Sequence, residues 1–353
     1  MSLLHNCPRS TAGLGLAFDD LLPVFEQAGR SVLAQAAMHV SAPDEGNMHI
    51  LEAAGSPAQK ERWLEPLAAG DISSGFSMTE PMSGAGSDPK MVKTTAEKDG
   101  DEWVINGHKW WTTGGSEADI LIVVARHRTT RPILTSAPRC FSFPPTRRAW
   151  KSSRDVPHMG SSGMSHAEIT YDDVRIPEEN LLGAENAGFA IAQQRLGPAR
   201  LTHCMRFSGM ANRALDIATA YMADREAFGD PLIEKQALRF DVAEAEIRLH
   251  AVRTMVRHAA RRIAAGEQAE SRGRDDESVR GERRPGRDRR LCTDRGGNGI
   301  GKDLPIADFY EAVRVFRIVD GADEVHKRSI ARRALDEESL VPEELEYVTR
   351  FEE

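Results

Sequence analysis

The hydrophobic periodicity of the chain changes twice along its length, and this change limits the folds open to it. Residues 19–70 carry apolar side chains at helical spacing, with short turns between them. Residues 74–183 show the short apolar runs and the alternation of β-strands. From Gly188 the helical spacing returns in long amphipathic stretches. The sequence therefore predicts an α+β fold of helices, a compact β unit and a helical bundle, with domains at 1–73, 74–183 and 184–353.

Local signals predict where several elements begin, turn or lie buried. Ser56, which a proline follows, predicts a helix that begins with a capping serine. Asn106-Gly107, directly after an apolar run, predicts a strand that enters a hairpin turn. The run at 120–125 is typical of a buried strand, and 167–174 alternates as a half-buried strand does.

Composition excludes several classes of protein. The net charge of −8 argues against a general nucleic-acid binder. No run approaches the roughly 18 apolar residues of a membrane span, and residues 1–12 lack the pattern of a secretory signal. A cytoplasmic protein is therefore expected. The cysteines are widely spaced and form no metal-ligand pattern: Cys7, Cys140, Cys204 and Cys292.

Two basic stretches interrupt the pattern. Residues 126–154 hold eight lysines and arginines without an acidic residue, and residues 271–295 hold nine arginines with few apolar side chains. Neither stretch is expected to form a core strand or an amphipathic helix. Both are typical of basic loops or linkers. A nucleic-acid or membrane patch is the alternative, although the second stretch lacks interleaved aromatic residues.

Two motifs in the β unit carry groups suited to binding a ligand. The loop from Phe76 to Asp88 is rich in glycine and serine, so its amides and hydroxyls could surround a phosphate or a polar ring. The pair Trp110-Trp111 lies on adjacent strand positions, which point to opposite faces, so one indole could pack against a flat ligand. Taken singly, a surface loop and core packing explain these motifs better.

Together with later stretches, these motifs resemble the acyl-CoA dehydrogenase family. The resemblance covers roughly residues 19–125, 155–266 and 296–340, and five stretches stand in the family's order. They are Ser41-Ala42-Pro43-Asp44-Glu45-Gly46-Asn47-Met48, Thr79-Glu80-Pro81, Trp110-Trp111-Thr112-Thr113, Asp224-Arg225-Glu226-Ala227-Phe228-Gly229 and Asp320-Gly321-Ala322-Asp323-Glu324-Val325-His326.

The resemblance implies a fold and a chemistry. The fold has N-terminal helices, a middle β-barrel-like domain and a C-terminal four-helix bundle. The reaction is the α,β-desaturation of an acyl-CoA thioester, in which a carboxylate removes the α proton and FAD takes the β hydride. An electron-transfer flavoprotein would receive the electrons, and the family assembles as homodimers or homotetramers.

The resemblance also implies catalytic residues. Asp320 stands where many members carry a catalytic glutamate, and one branch of the family has aspartate there. Asp323 and Glu324 are the rival candidates for the base, and the plain alternative is an acidic loop at a helix start, which the helix dipole favours. Arg200 matches an arginine near the catalytic carboxylate, where a cation would keep Asp320 ionised.

Further residues match positions that hold the flavin in the family. Thr79, with backbone contacts from Met78, matches the threonine at the pyrimidine end of the ring. Thr113 matches the threonine that bonds flavin N5, and Trp111 matches the tryptophan that packs on the ring. Ser87 matches a serine near the pyrophosphate, although the loop before it is two residues longer than the common form.

Three residues match positions that reach the FAD of a neighbouring subunit. They are Arg225, Phe228 and Gln236. An arginine can pair with a pyrophosphate, so this match implies a cofactor site shared between chains and at least a dimer. Taken alone, an exposed helical arginine followed by a turn explains the first two better.

The chain departs from the family at the two basic stretches and at its start. Family character is lost at 126–154 and 267–295 and resumes sharply after each, as compensated frameshifts in a GC-rich frame would produce. The alternative is a lineage-specific insertion, and resequencing the gene distinguishes the two. Thr79 is preceded by 78 residues, fewer than the family's usual helical domain provides. If these losses are real, an exposed sheet edge and an incomplete bundle are expected.

Two other functions remain open from the sequence. An acyl-CoA oxidase would share these motifs and differ in letting oxygen reach the reduced flavin. A family member that no longer binds flavin would follow if the basic stretches disrupt the fold.

Overall fold

The computed structural model describes residues 18–127, 139–143, 151–159, 165–265 and 297–335. These residues fall into two compact units, and the chain passes from one to the other between residues 210 and 211. The division into three domains therefore stays a prediction, and most of 126–154 and 267–295 lies outside the described residues.

The first unit begins with short helices. They are α1 (Phe18–Gly29), α2 (Ala34–Ala37), α3 (Asp44–Ala54), α4 (Pro57–Gln59), a π-helical turn at Lys60–Leu64, and α5 (Glu65–Ala69). The predicted helix start at Ser56 is confirmed, because its hydroxyl accepts the Gln59 N–H at 3.3 Å. The Gln59 side chain accepts the Ser56 N–H in return at 2.9 Å, which completes a capping box.

The β part of the first unit consists of two sheets. The strands are β1 (Ser74–Ser77), β2 (Thr95–Asp99), β3 (Glu102–Thr113), β4 (Ile120–Ala125), β5 (Arg139–Phe143), β6 (Lys151–Asp155) and β7 (His166–Pro177). One sheet has the order β1-β4-β5, with β1 parallel to β4, and the other has the order β2-β3-β7-β6.

The predicted buried strand at 120–125 is confirmed, and its alternating side chains join two cores. Ile120, Ile122 and Val124 pack with the N-terminal helices. Leu121 and Val123, on the opposite face, pack with the second sheet. Because both faces are covered, the strand is apolar throughout instead of alternating. This strand therefore fixes the first sheet between the helices and the second sheet.

The predicted hairpin turn at Asn106-Gly107 is wrong. The strand β3 runs through both residues and pairs with β7, with a change of register between Ile105 and Gly107. The Asn106 side chain bonds Asp173 across the strands, through both its amide nitrogen and its oxygen. A Cβ on Gly107 would lie 2.4 Å from the Thr94 hydroxyl oxygen, so glycine is needed for close packing at a bulge.

The interpretation of 126–154 as a basic loop is also wrong for two short segments, which form strands at the edges of the sheets. Residues 139–143 form β5, which pairs antiparallel with β4, and residues 151–155 form β6, which pairs with β7. The expected exposed edge on β4 is therefore absent from the described residues. Strand pairing depends on backbone hydrogen bonds, and the aromatic residues at 141 and 143 favour extended backbone even without clear alternation.

Helices dominate the rest of the described chain, as predicted. They are α6 (Gly188–Asp224), which crosses the division between the units, α7 (Gln236–Ala264), α8 (Gly297–Ile300), α9 (Ile306–Val315) and α10 (Asp323–Ala334). A small hairpin of β8 (Glu226–Ala227) and β9 (Asp230–Pro231) lies between α6 and α7. In these described parts, no helix combines the length and apolarity that crossing a membrane requires.

A buried glutamate joins α3 to α6 within the first unit. Glu45 is 3% exposed, and its carboxylate accepts a hydrogen bond from the Thr202 hydroxyl at 3.2 Å. His49 lies 3.2 Å from the other carboxylate oxygen. Burial alone would raise the pKa of Glu45, but the hydrogen bond and charge of His49 and the charge of Arg206 outweigh it and lower the pKa to about 2.

This carboxylate makes the stability of the first unit depend on pH. The Glu45 pKa is about 2 in the folded protein against 4.5 normally, so its stabilisation is complete above about pH 4.5 and is lost as pH falls toward 2. Glu45→Gln should lower the free energy of unfolding by on the order of 3 kcal/mol at neutral pH, and the difference should close in acid. Urea unfolding at several pH values measures it.

A control distinguishes this carboxylate from glutamates in general. Glu61 is exposed on the neighbouring π-helical turn, and Glu61→Gln should leave the free energy of unfolding nearly unchanged at every pH. A constant difference between the wild-type protein and Glu45→Gln down to about pH 2 would contradict the pKa assignment.

Candidate active site

Hydrogen bonds join the two residues after β1 to strand β3. The Trp110 N–H donates to the Thr79 carbonyl at 3.1 Å. The Lys109 ammonium donates to the Met78 carbonyl at 2.8 Å. Two residues predicted to contact a flavin, Met78 and Thr79, are therefore held by their backbones against the strand that carries the tryptophans.

A bulge in β3 changes the direction of Trp111. The pairing with β7 shifts register between Lys109 and Thr112, and Trp111 has a φ of +57°. This left-handed conformation is unfavourable for a bulky residue and breaks the regular alternation of the strand. The Trp111 side chain is 39% exposed, an unusual degree for an indole at the centre of a sheet. Strain at such a position is typical of functional sites.

Two histidines lie beside Trp111. The His166 and His158 rings have centroids 5.7 Å and 6.4 Å from the Trp111 ring, and they lie 4.1 Å from each other. Thr113, opposite His166 in the sheet, places its hydroxyl oxygen 3.0 Å from His166 Nδ1. The sequence alone gave no sign of these histidines, because only the pairing of β3 with β7 brings His166 to Thr113.

A buried ion pair organises the loop after Thr79. Glu80 is 1% exposed, and its carboxylate accepts hydrogen bonds from the Lys109 ammonium at 3.0 Å and from the Thr94 hydroxyl at 2.7 Å. The N–H groups of Ala85, Lys93 and Thr94 also donate to it. This residue is therefore the point at which both ends of the loop and strand β3 are fastened.

The charge of Glu80 is strongly favoured despite its burial. Burial alone would raise the pKa, but the Lys109 ammonium and the hydrogen bonds from Thr94 and Lys93 outweigh it and lower the pKa to about 2. Glu80 lies in the sequence motif Thr79-Glu80-Pro81, but no function was predicted for it. The signal that could have indicated a buried ion pair was a single acidic residue directly after a predicted strand.

Ser87 and Arg200 have different surroundings. Ser87 is exposed on the loop that Glu80 holds, next to Gly86, whose φ is +59°. Arg200 is half-buried and lies well inside α6, not at a helix start. The predicted roles of Ser87 at a phosphate and of Arg200 near the base stay predictions.

In the second unit, Asp320 stands at a sharp turn before α10. It is half-buried with a φ of +55°, and Gly321 follows with a φ of +102°. Aspartate tolerates this left-handed region better than most residues. The rival Asp323, at the start of α10, is 9% exposed and accepts a hydrogen bond from Arg317 at 2.6 Å, whereas Glu324 is exposed. Asp323 therefore has a structural role in fastening the helix.

The turn after Asp320 should not tolerate a side chain at Gly321. A Cβ there would lie 2.6 Å from His326 Nε2, and His326 is 3% exposed. Gly321→Ala should lower the free energy of unfolding by about 2 kcal/mol or more, because strained backbone and a clash add. Gly229→Ala is the matched control: its φ is +89°, but its Cβ would meet nothing within 4 Å. Equal losses in urea unfolding would show that the His326 contact is unimportant.

The three residues predicted to serve a neighbouring subunit lie around the β8–β9 hairpin. Phe228 is at its tip, fully exposed with a φ of +55°. Arg225 directly precedes β8, and Gln236 begins α7, both with exposed side chains. A fully exposed phenylalanine on a structured turn is typical of a residue that another surface covers. The structure thus places them in one exposed segment.

Comparison with known proteins assigns the family. Three family models match the chain: the acyl-CoA dehydrogenase N-terminal domain at 3–71, the middle domain at 75–174, and the C-terminal domain at 186–279 and 289–335. The chain belongs to the acyl-CoA dehydrogenase family. The predictions of this family, of its fold of N-terminal helices, middle sheet domain and C-terminal helices, and of an oxidoreductase of this class are confirmed.

Individual acyl-CoA dehydrogenases show how far the likeness extends. A Mycobacterium tuberculosis protein named "Probable acyl-CoA dehydrogenase FadE2" is 38% identical over 333 residues, 93% of this chain and 82% of that protein. Acyl-CoA dehydrogenase family member 11 of Rattus norvegicus is 33% identical over 92% of this chain, which spans only 42% of that relative. Butyryl-CoA dehydrogenase from Megasphaera elsdenii has a TM-score of 0.82 at 26% identity, over 94% of this chain and 86% of that one.

Members of the acyl-CoA dehydrogenase family bind FAD. The described residues offer chemical groups that suit the flavin ring. Trp111 offers exposed aromatic surface, Thr113 offers a hydroxyl on the same strand, and Thr79 offers one on the segment whose carbonyl accepts the Trp110 N–H. The indole Nε1 of Trp110 is buried without a hydrogen-bond partner among the described residues. Such a set suits a flat heteroaromatic ring with polar edges better than it suits core packing.

Proposed function

We propose that this acyl-CoA dehydrogenase catalyses the FAD-dependent α,β-dehydrogenation of an acyl-CoA thioester. One observation carries the proposal: the bulge in β3 exposes Trp111 two residues before Thr113, and the N–H of the adjacent Trp110 donates to the Thr79 carbonyl. An exposed indole and two hydroxyls, one on the same strand and one on the segment bonded to it, supply a stacking surface and edge contacts for a flavin.

Residues of the first unit would hold the cofactor. Trp111 packs against the ring, Thr113 bonds its N5 atom, and Thr79 with the backbone of Met78 bonds its pyrimidine end. Ser87, on the loop that Glu80 fastens, contacts a phosphate. FAD supplies the acceptor for the β hydride, which no protein side chain can provide.

Asp320 would act as the base that removes the α proton. A carboxylate serves only while it is ionised, and Arg200 would favour the charged form. Aspartate is one methylene shorter than glutamate, so the turn at Asp320 and Gly321 would have to bring the carboxylate closer to the substrate. The positive φ of Asp320, a conformation often found at functional sites, supports a specific role for this turn.

The assembly would share cofactor sites between chains. Arg225, Phe228 and Gln236 would reach the FAD of a neighbouring subunit in a homodimer or homotetramer. The exposure of Phe228 supports this contact. The reduced cofactor would pass its electrons to an electron-transfer flavoprotein in the cytoplasm.

Anaerobic titration tests the proposal directly. The purified protein, incubated with FAD, should show flavin absorbance, and saturated acyl-CoA thioesters of several chain lengths should bleach it. Absence of flavin absorbance, or a flavin that no acyl-CoA bleaches, would refute the proposal. Hydrogen peroxide formed at the rate of substrate oxidation in air would indicate an oxidase instead.

A further inference from the structure

The hydroxyl proposed to face flavin N5 has a partner within the protein. Thr113 and His166 are paired residues of β3 and β7, and the Thr113 Oγ1 atom lies 3.0 Å from His166 Nδ1. Both side chains are half-buried. A threonine hydroxyl has a single proton, so the direction in which that proton points determines whether the oxygen can accept from a ligand or donate to it.

The surroundings of His166 keep its imidazole neutral. Burial and then the charge of the neighbouring His158 lower the pKa of His166 to about 4, although Asp155 acts in the opposite direction. A neutral imidazole has one nitrogen that donates and one that accepts, whereas a protonated one could only donate to Thr113. At neutral pH, Nδ1 is therefore able to accept the threonine proton.

We propose that His166 is a positioning residue for the flavin: its Nδ1 atom accepts the Thr113 hydroxyl proton and leaves the Oγ1 lone pairs facing N5. This inference rests on the proposed function. Reduced flavin carries a hydrogen at N5, and oxidised flavin does not. A threonine oxygen held as an acceptor bonds N5 only in the reduced form and so stabilises it, and His166 therefore raises the reduction potential of the bound flavin.

Redox titration of the flavin-loaded protein measures this effect. His166→Leu should lower the ratio of reduced to oxidised flavin at least tenfold at a fixed potential, a shift of about 30 mV for a two-electron couple. His166→Asn can keep an acceptor near the Nδ1 position, so its reduction potential should stay close to that of the wild-type protein. In a Thr113→Val background, His166→Leu should have no further effect, because His166 acts through that hydroxyl.

A matched control comes from the same pair of strands. His108 on β3 pairs with Glu168 on β7 at 2.8 Å, and its side chain is 41% exposed. His108→Gln removes another cross-strand imidazole without touching Thr113, so the flavin potential should stay at the wild-type value. An equal shift in His108→Gln would show that any disturbance of the sheet moves the potential, and this would overturn the inference.

The tautomer of His166 can be determined without flavin. Imidazole ¹⁵N NMR of the unaltered protein should show an unprotonated Nδ1 at neutral pH, and Thr113→Val should move its resonance. A protonated Nδ1 overturns the inference. If His166→Leu binds flavin and its potential is unchanged, the inference is overturned but the proposed function is not. Failure of the unaltered protein to bind flavin refutes the proposed function and the inference together.

Discussion

Replacing Glu80 with glutamine should lower the free energy of unfolding by about 3–5 kcal/mol, as is usual when one partner of a buried ion pair is removed. The change leaves the Lys109 ammonium, whose side chain is 0% exposed, without its counter-charge. It also weakens the hydrogen bonds that Lys93 and Thr94 donate. Urea unfolding at neutral pH, followed by circular dichroism, measures the loss.

Two further variants isolate the charge. Glu178→Gln breaks an ion pair with Lys98 in which both side chains are more than 40% exposed, and it should leave the free energy of unfolding nearly unchanged. Adding Lys109→Met to Glu80→Gln removes the unpaired ammonium, and this double variant should be more stable than Glu80→Gln alone. A cost for Glu80→Gln no larger than that for Glu178→Gln would show that the buried pair does not hold the loop.

The same ion pair connects stability to the proposed flavin site. Glu80 directly follows Thr79, and its partner Lys109 also holds the Met78 carbonyl. A loosened loop would therefore shift the backbone that is proposed to contact the ring. Glu80→Gln should release flavin on dilution faster than Glu178→Gln does, even at temperatures at which both proteins remain folded.

Those parts of the fold that depend on local signals could be predicted from the sequence. The apolar run of β4 and the capping serine at position 56 each hold their information within a few residues. The prediction of a turn at Asn106-Gly107 was wrong because the same dipeptide also suits a bulge. Whether a turn or a bulge forms depends on the partner strand. Strand β5 was missed because its backbone pairing leaves little trace in the sequence.

In the site, too, local motifs could be predicted and long-range contacts could not. Thr79, Trp111 and Thr113 could be proposed because the family's motifs surround them. The contacts that hold them could not be predicted, since Glu80 and Lys109 are 29 residues apart and Thr113 and His166 are 53 apart. These contacts depend on strand register, which one sequence does not reveal. Positive φ at Trp111 and Asp320 is likewise a product of tertiary structure.

Asp320→Asn should slow the bleaching of bound flavin by acyl-CoA by about 10²–10⁴-fold, the usual contribution of a general base. The amide cannot take a proton from the α carbon. Asparagine tolerates the left-handed backbone at this turn as well as aspartate does, so the fold should be unchanged. Stopped-flow absorbance measures the rate, and equilibrium titration should show that acyl-CoA still binds.

The rivals to Asp320 predict different results. Glu324 is exposed in the first turn of α10, and Glu324→Gln should leave the bleaching rate within about twofold of wild type, as surface changes usually do. Asp323→Asn weakens the contact with Arg317, so it should lower stability more than it lowers the rate. If Asp323→Asn abolished bleaching while Asp320→Asn bleached normally, the base would be Asp323. The turn at Gly321 would then serve only to begin the helix.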